Sequence, residues 1–269
     1  MKPPPFTYHG PATVEEALDC LCGLDDARII AGGQSLMPML NLRLVAPRHL
    51  IDIGRVASMN RVEETARGVV IGAATTQRAL ERSPLVKRSL PVMAAALESV
   101  GHIQTRNRGT IGGSLCHLDP AAELPLLAAL YEAEIVARGR SGERSLAFAD
   151  FAEDMMTPAI AEDEIVTDVV FRPWAPGHGW GFHEFARRKG DFAIVAAACL
   201  LETGADGRIA RAAVALGGAT GTPTRIPAAE AALEGGDPEA GHVAAAAETG
   251  GEIDALDDPF VPAWYRRRI

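Results

Sequence analysis

Bulky aromatic side chains are scarce in this sequence: Phe, Tyr and Trp together make up 5% of it, so stacking surfaces are few. Long basic runs are missing too. None exceeds the three residues of Arg266-Arg267-Arg268, in a chain of formal net charge −9. That argues against a nucleic-acid partner, because phosphate contacts dominate such binding. No apolar run approaches the ~18–20 residues that span a bilayer. The opening MKPPPFTYHG has one Lys and no apolar core segment, so no secretory signal is expected. Four cysteines, Cys20, Cys22, Cys116 and Cys199, form no CxxC pair, and the first two stand too close together for a usual zinc knuckle. Free thiols in a reducing, cytoplasmic setting are the expectation.

The chain has 269 residues, enough for a sizeable core and two domains, and its apolar fraction of 48% is ordinary for a globular protein. Thr13 with Glu16 three residues later is a capping box that opens a helix over VEEALDCLCGL. ARIIAGG, RHLIDI (48–53) and RGVVIGA (67–73) read as strands. TTQRALERS, capped by Thr75, and PVMAAALESV read as helices. Pro120 to Tyr131 is apolar at helical spacing, and AEIVARG and EIVTDVVFRP read as strands. The Pro/Gly/Trp stretch RPWAPGHGWG marks a domain boundary near 173. Beyond it, AIVAAACLLE and RIARAAVALGG flank an Asp-Gly turn, followed by a short helix around Ala228–Leu233 and a Gly/Ala-rich tract. This pattern predicts an α+β fold, larger in its N-terminal part.

Two glycine stretches carry the chemistry. Ala31-Gly32-Gly33-Gln34-Ser35-Leu36 lies between a strand and a short helix, where convergent backbone N–H groups and a helix N-terminus suit an anion such as pyrophosphate. Its spacing is neither GxGxxG nor GxxxxGK[ST], and a plain turn is the alternative. Thr110-Ile111-Gly112-Gly113-Ser114 follows the donor-rich Gln104-Thr105-Arg106-Asn107-Arg108. Cys116, His117 and Asp119 are crowded together with no second ligand cluster nearby, which disfavours a metal; Asp119 also suits a helix cap with Pro120 after it. Two such cradles without a neighbouring nucleophile suggest one long ligand, as a dinucleotide would be. His183-Glu184 lacks the second histidine of HExxH, so a metallopeptidase is excluded.

The segments AGGQSLMPMLNLRL (31–44) and RNRGTIGGSLCHLDPAAELP (106–125), with KPPPFTYHGPATVEEAL at the start and ARRKGDFAIVAAA (186–198), resemble the flavin-binding medium subunit of molybdenum hydroxylases, the carbon monoxide dehydrogenase and xanthine dehydrogenase family. The resemblance covers almost the whole chain. It implies a two-subdomain FAD-binding domain of the vanillyl-alcohol-oxidase (PCMH) type over 1–173, with subdomains of about 1–55 and 56–173. A small α+β domain over 174–269 would follow. It also implies that Ala31, Gly32, Gly33, Gln34, Ser35 and Leu36 hold the pyrophosphate of FAD, and that Thr110, Ile111, Gly112, Gly113 and Ser114 hold its other side. Asp119 and Glu123 would bond its ribose, ribityl or adenine portion. Val100, Gly101 and Ile160 would touch it, and His183, Asp191 and Phe192 would border the isoalloxazine.

By the same resemblance the chain is an oxidoreductase subunit with no catalytic side chain of its own. It would pass electrons from [2Fe-2S] clusters on a small partner to NAD+, a quinone or another acceptor. A large molybdopterin subunit would complete a dimer of heterotrimers. Flavin chemistry needs a held ring and local positive charge, which Arg187, Arg188 and Lys189 could supply unless they form a solvated turn. A self-contained flavin oxidase and a non-enzymatic nucleotide-binding module remain as alternatives.

Overall fold

The computed structural model describes residues 2–238, 242–249 and 252–269; residues 239–241, 250 and 251, part of the Gly/Ala-rich tract, lie outside the described residues. The chain opens with a three-stranded parallel sheet of β1 (Thr7–His9), β2 (Ala27–Ile30) and β3 (His49–Asp52), in the order β1-β3-β2. Helix α1 (Val14–Gly23) crosses from β1 to β2. Thr13 Oγ1 accepts from the Glu16 N–H at 3.1 Å, and the Glu16 carboxylate reaches back to the Ala12 N–H at 2.7 Å. The capping box therefore closes one residue further out than its usual form. The short α2 (Leu36–Asn41) follows the first glycine stretch.

A five-stranded antiparallel sheet comes next. It is built from β4 (Val62–Thr65), β5 (Gly68–Gly72), β6 (Glu134–Gly139), β7 (Gly142–Ala147) and β10 (Ile165–Phe171), in the order β4-β5-β10-β6-β7. Between β5 and β6 run α3 (Gln77–Arg82), α4 (Pro84–Ser89), α5 (Pro91–Ala96), α6 (Ile103–Arg106), α7 (Ile111–His117) and α8 (Glu123–Leu130). The cap of α3 is Thr76, whose hydroxyl accepts from the Ala79 N–H; Thr75 is buried and donates to the Arg61 carbonyl instead. Burial decides between two adjacent threonines that the sequence leaves equivalent. Helix α9 (Phe148–Phe151) and the ribbon β8 (Ala152–Asp154) with β9 (Thr157–Pro158) join β7 to β10.

The last sheet is a meander of β11 (Gly179–Phe185), β12 (Val195–Thr203), β13 (Ile209–Gly217) and β14 (Thr224–Arg225), paired in chain order, with α10 (Pro227–Leu233), α11 (His242–Thr249) and α12 (Ala263–Arg268) after it. The fold is thus α+β, as expected. One core runs through both parts: Leu124, Leu126 and Leu127 of α8 belong to the same buried cluster as Ala196, Ala198 and Leu200 of β12. Every residue of α8 is buried, including Glu123. Among the described residues no helix is long and apolar enough to cross a membrane.

Candidate functional site

The first glycine stretch leaves β2 as an irregular turn. Gly33 has φ +71°, a left-handed conformation that side chains other than glycine rarely adopt. Beyond the Gln34 side-chain amide bond to the Gly32 carbonyl at 3.1 Å, the turn makes few internal contacts. Among the described residues, the backbone N–H groups of Gly32, Gly33, Gln34 and Ser35 have no acceptor in the protein. Four free donors on one turn ahead of a helix are what an anion would need. Gly32, Gly33 and Gln34 of this turn line a cleft of about 430 Å³ with Phe6, Tyr8, Ile30, Asp52 and Arg108, among others.

The second stretch is an N-cap and the first turn of a helix. Thr110 is the N-cap of α7, and Ile111, Gly112, Gly113 and Ser114 are helical. Their N–H groups are spent inside the protein: Ile111 on the Thr75 carbonyl, Gly112 on Ala73, Gly113 on Thr110 Oγ1 at 3.1 Å and Ser114 on the Thr110 carbonyl. The N–H groups of residues 111–114 are therefore not free donors, unlike those of the first stretch. A Cβ on Gly112 would lie 2.5 Å from the Ala73 Cβ, so glycine here lets the helix meet the sheet.

The two stretches form one place in the fold. An ideal Cβ on Gly32 would sit 2.1 Å from the Arg108 carbonyl oxygen, and one on Gly113 would sit 3.6 Å from the Ala31 Cβ. From there a line of contacts leads to the last sheet. Gly109 donates to the Thr105 carbonyl, Thr105 packs on Gly101, and a Cβ on Gly190 would lie 3.1 Å from the Gly101 carbonyl oxygen. Arg106 braces this line by ion-pairing with Glu81 at 3.0 Å and donating to the carbonyls of Val100 and Gly101.

The other expected residues fall around this line. Asp191 pairs with Arg188 at 3.1 Å, Phe192 is 70% exposed, and His183 is exposed on β11. Ile160 packs against the core just after β9, which lies against α7. Arg187, Arg188 and Lys189 form an exposed turn. Asp119 accepts from the Ala121 N–H at 2.9 Å in a turn, and α8 begins only at Glu123, so Pro120 is not its first residue. Cys116 packs on the core, and burial pushes its thiol up to about 12. Among the described residues no group of three or more His, Cys, Asp or Glu is placed to hold a metal ion.

Glu123 and Glu184 of β11 interact electrostatically across the junction. Burial, then the facing carboxyl of Glu184, pushes Glu123 up to about 8, and burial also raises Glu184. Sequence reasoning missed Tyr8 and Asp52 in the cleft. The Tyr8 hydroxyl donates to Asp52 Oδ2 at 2.7 Å, and this hydrogen bond raises the phenol. No motif marks either residue; β1 and β3 bring them together.

The profile of the FAD binding domain in molybdopterin dehydrogenase matches residues 4–174, and that of the CO dehydrogenase flavoprotein C-terminal domain matches residues 180–269. The chain is 40% identical to the nicotine 6-hydroxylase medium subunit of Paenarthrobacter nicotinovorans, over 100% of this chain and 94% of that one. It is 38% identical to the carbon monoxide dehydrogenase medium chain of Hydrogenophaga pseudoflava, over 75% and 70% of the two. Among solved structures, carbon monoxide dehydrogenase from Hydrogenophaga pseudoflava superposes with a TM-score of 0.95 at 36% identity, covering 100% of this chain and 94% of that one. Quinoline 2-oxidoreductase from Pseudomonas putida 86 superposes with a TM-score of 0.94 at 35% identity, covering 100% and 93%.

Proposed function

The chain belongs to the FAD-binding medium subunits of multi-subunit molybdenum hydroxylases, which are oxidoreductases, and we propose that it relays electrons within such a complex from [2Fe-2S] clusters on a small partner to an external acceptor. A large molybdopterin subunit would oxidise the substrate, the three chains would assemble as a dimer of heterotrimers, and the complex would work in the cytoplasm. The acceptor would be NAD+ or a quinone.

The observation that carries this reading is the backbone contact between Gly32 and Arg108, beside four unpartnered N–H groups. Gly32, Gly33, Gln34 and Ser35 would bind the pyrophosphate, with Ala31 and Leu36 shaping the turn. Thr110, Ile111, Gly112, Gly113 and Ser114 would form the wall behind it. Val100, Gly101 and Ile160 would lie along the cofactor, Asp119 and Glu123 toward its sugar portion, and His183, Asp191 and Phe192 at the ring. Bound flavin takes up and releases electrons singly or in pairs, which lets a one-electron donor serve a two-electron acceptor. The protein's part is to hold the cofactor, exclude water from one side and present an open edge.

The test is co-expression with the partner chains. Non-covalent FAD in about one copy per chain, a stable complex on size-exclusion chromatography, and flavin bleaching by the reduced iron–sulfur partner are expected. An isolated chain that oxidised an organic substrate unaided would instead support a self-contained oxidase.

A further inference from the structure

We propose that Arg266 is a positioning residue for the cofactor site: from α12 it clamps the return of the β11–β12 loop, residues 186–194, and so holds that loop against the Gly101 turn. The proposal rests on the reading that Asp191 and Phe192, both in this loop, border the flavin ring. Arg266 is only 9% exposed. Its Nη1 donates to the Ile194 carbonyl at 2.7 Å and to the Gly218 carbonyl at 2.7 Å. Its Nη2 donates to Asp258 Oδ2. Ile194 stands just before β12 and Gly218 just after β13, so one guanidinium ties two strand ends to the tail. Gly218 has φ +71°, and a Cβ on it would lie 2.9 Å from the Ile194 carbonyl oxygen. Glycine there lets the two carbonyls come close enough to share one nitrogen of the fork.

The tail carries this clamp across the loop. Asp258 fixes its own turn by accepting from the N–H groups of Phe260 and Val261 at 2.8 and 2.9 Å. Leu256 donates to the Ala219 carbonyl at 2.8 Å, and Arg187 of the loop donates to the Phe260 carbonyl at 3.4 Å. The Tyr265 ring meets that of Phe185 edge-on, 6.3 Å between centroids. The Ile194 N–H returns to the Phe185 carbonyl at 2.8 Å and closes the base of the hairpin. The far end of the loop touches the site. Gly190 has φ +85°, and a Cβ on it would lie 3.1 Å from the Gly101 carbonyl oxygen, which also accepts from Arg106. The loop is thus held by Arg266 at Ile194 and rests at Gly190 on the turn that Arg106 braces, with Asp191 and Phe192 between the two.

The experiment compares wild type, Arg266→Met and Arg266→Lys as the full chain, without and with FAD. Methionine fills the apolar part of the site and brings no donor. The Arg266 Nε meets no acceptor, so all three bonds come from the tip of the fork, and the three donors of a lysine ammonium can reach the same acceptors. Limited trypsin digestion reads the loop through cleavage after the exposed Arg187, Arg188 and Lys189, relative to cleavage after Lys87 and Arg88 in α4. The ratio separates local opening from global unfolding. In the apoprotein Arg266→Met should raise it roughly tenfold, and Arg266→Lys should restore much of the protection. With FAD, Arg266→Met should bind roughly tenfold more weakly by fluorescence titration and shift the visible absorption of the bound flavin, and Arg266→Lys should return both toward wild type. An unchanged cleavage ratio in Arg266→Met, or an Arg266→Lys chain as loose as Arg266→Met, would overturn the proposal. Should Arg266→Met not fold, Asp258→Ala removes one acceptor of the fork from a partly exposed position and is read in the same way. A loosened loop with FAD affinity and flavin spectrum unchanged would overturn the placing of Asp191 and Phe192 at the ring and leave the clamp standing.

Discussion

An ideal Cβ on Gly32 would lie 2.1 Å from the carbonyl oxygen of Arg108, so the turn after β2 and the loop before α7 touch backbone to backbone. Gly32, Gly33 and Gln34 line the cleft, and the N–H groups of residues 32–35 have no acceptor among the described residues. A side chain at position 32 would have to displace main chain rather than a flexible side-chain tip.

Gly32→Ala should therefore lower FAD affinity strongly. Losing one or two charge-assisted hydrogen bonds at ~1.5–3 kcal/mol each weakens binding by roughly 10- to 10⁴-fold. The FAD-to-protein ratio by flavin absorbance, with circular dichroism as the folding control, checks this. Full flavin content in a folded variant would sink the cradle assignment.

Thr110→Val removes the hydroxyl that accepts from the Gly113 N–H. The loss should cost about 1 kcal/mol of stability, seen as a lower midpoint in urea with an unchanged slope. Gly113→Val strains the same cap, because its Cβ would fall 2.9 Å from Thr110 Oγ1, and it also presses toward Ala31. It should lose more flavin than Thr110→Val does.

The four thiols should separate by reactivity. Burial raises Cys116 to about 12 and also raises Cys199, so both form less thiolate at pH 8 than an ordinary cysteine does. Alkylation of the native chain at that pH, read by peptide mass spectrometry, should label Cys20 and Cys22 first. All four should react after denaturation. Cys116→Ser should leave flavin content unchanged.

Arg106 and Glu81, whose side chains are 12% and 15% exposed, form the brace under Val100 and Gly101. Arg106→Ala should cost ~1–3 kcal/mol, because it removes one of the two arginines that pair with Glu81 and takes the donor from two carbonyls. Burial pushes Glu81 up, but hydrogen bonds from Arg78 and Arg106 outweigh it and hold the carboxyl below the ordinary range. A depressed folded value gives stability that is present above the unfolded value and lost as pH falls through the folded one. Wild type and Arg106→Ala should accordingly converge in unfolding free energy at acid pH. A constant gap down to pH 3 would contradict this role.

Much of the framework was legible from local pattern. β2, β3, β5, β6, β10, β12 and β13 fall where apolar runs bounded by glycine, proline or Asp-Gly put them, because all but the half-buried β2 are buried on one or both faces. β1, β4, β7 and β11 were not legible. Their residues are largely exposed, so no hydrophobic period marks them, and neighbouring strands recruit them. The helix α7 was hidden for the opposite reason: two glycines lower its helical propensity, and packing against Ala73 overrides that cost.

The sequence alone determined the glycine turn at 31–36 and its likeness to a flavin-binding family, since both depend on residue types at fixed short spacings. Only the tertiary structure decided that the two glycine stretches touch, that Arg106 is a brace and that Arg108 lines the cleft. Those relations join residues far apart in the chain, and it is the packing of buried elements, not any local preference, that sets which distant groups meet.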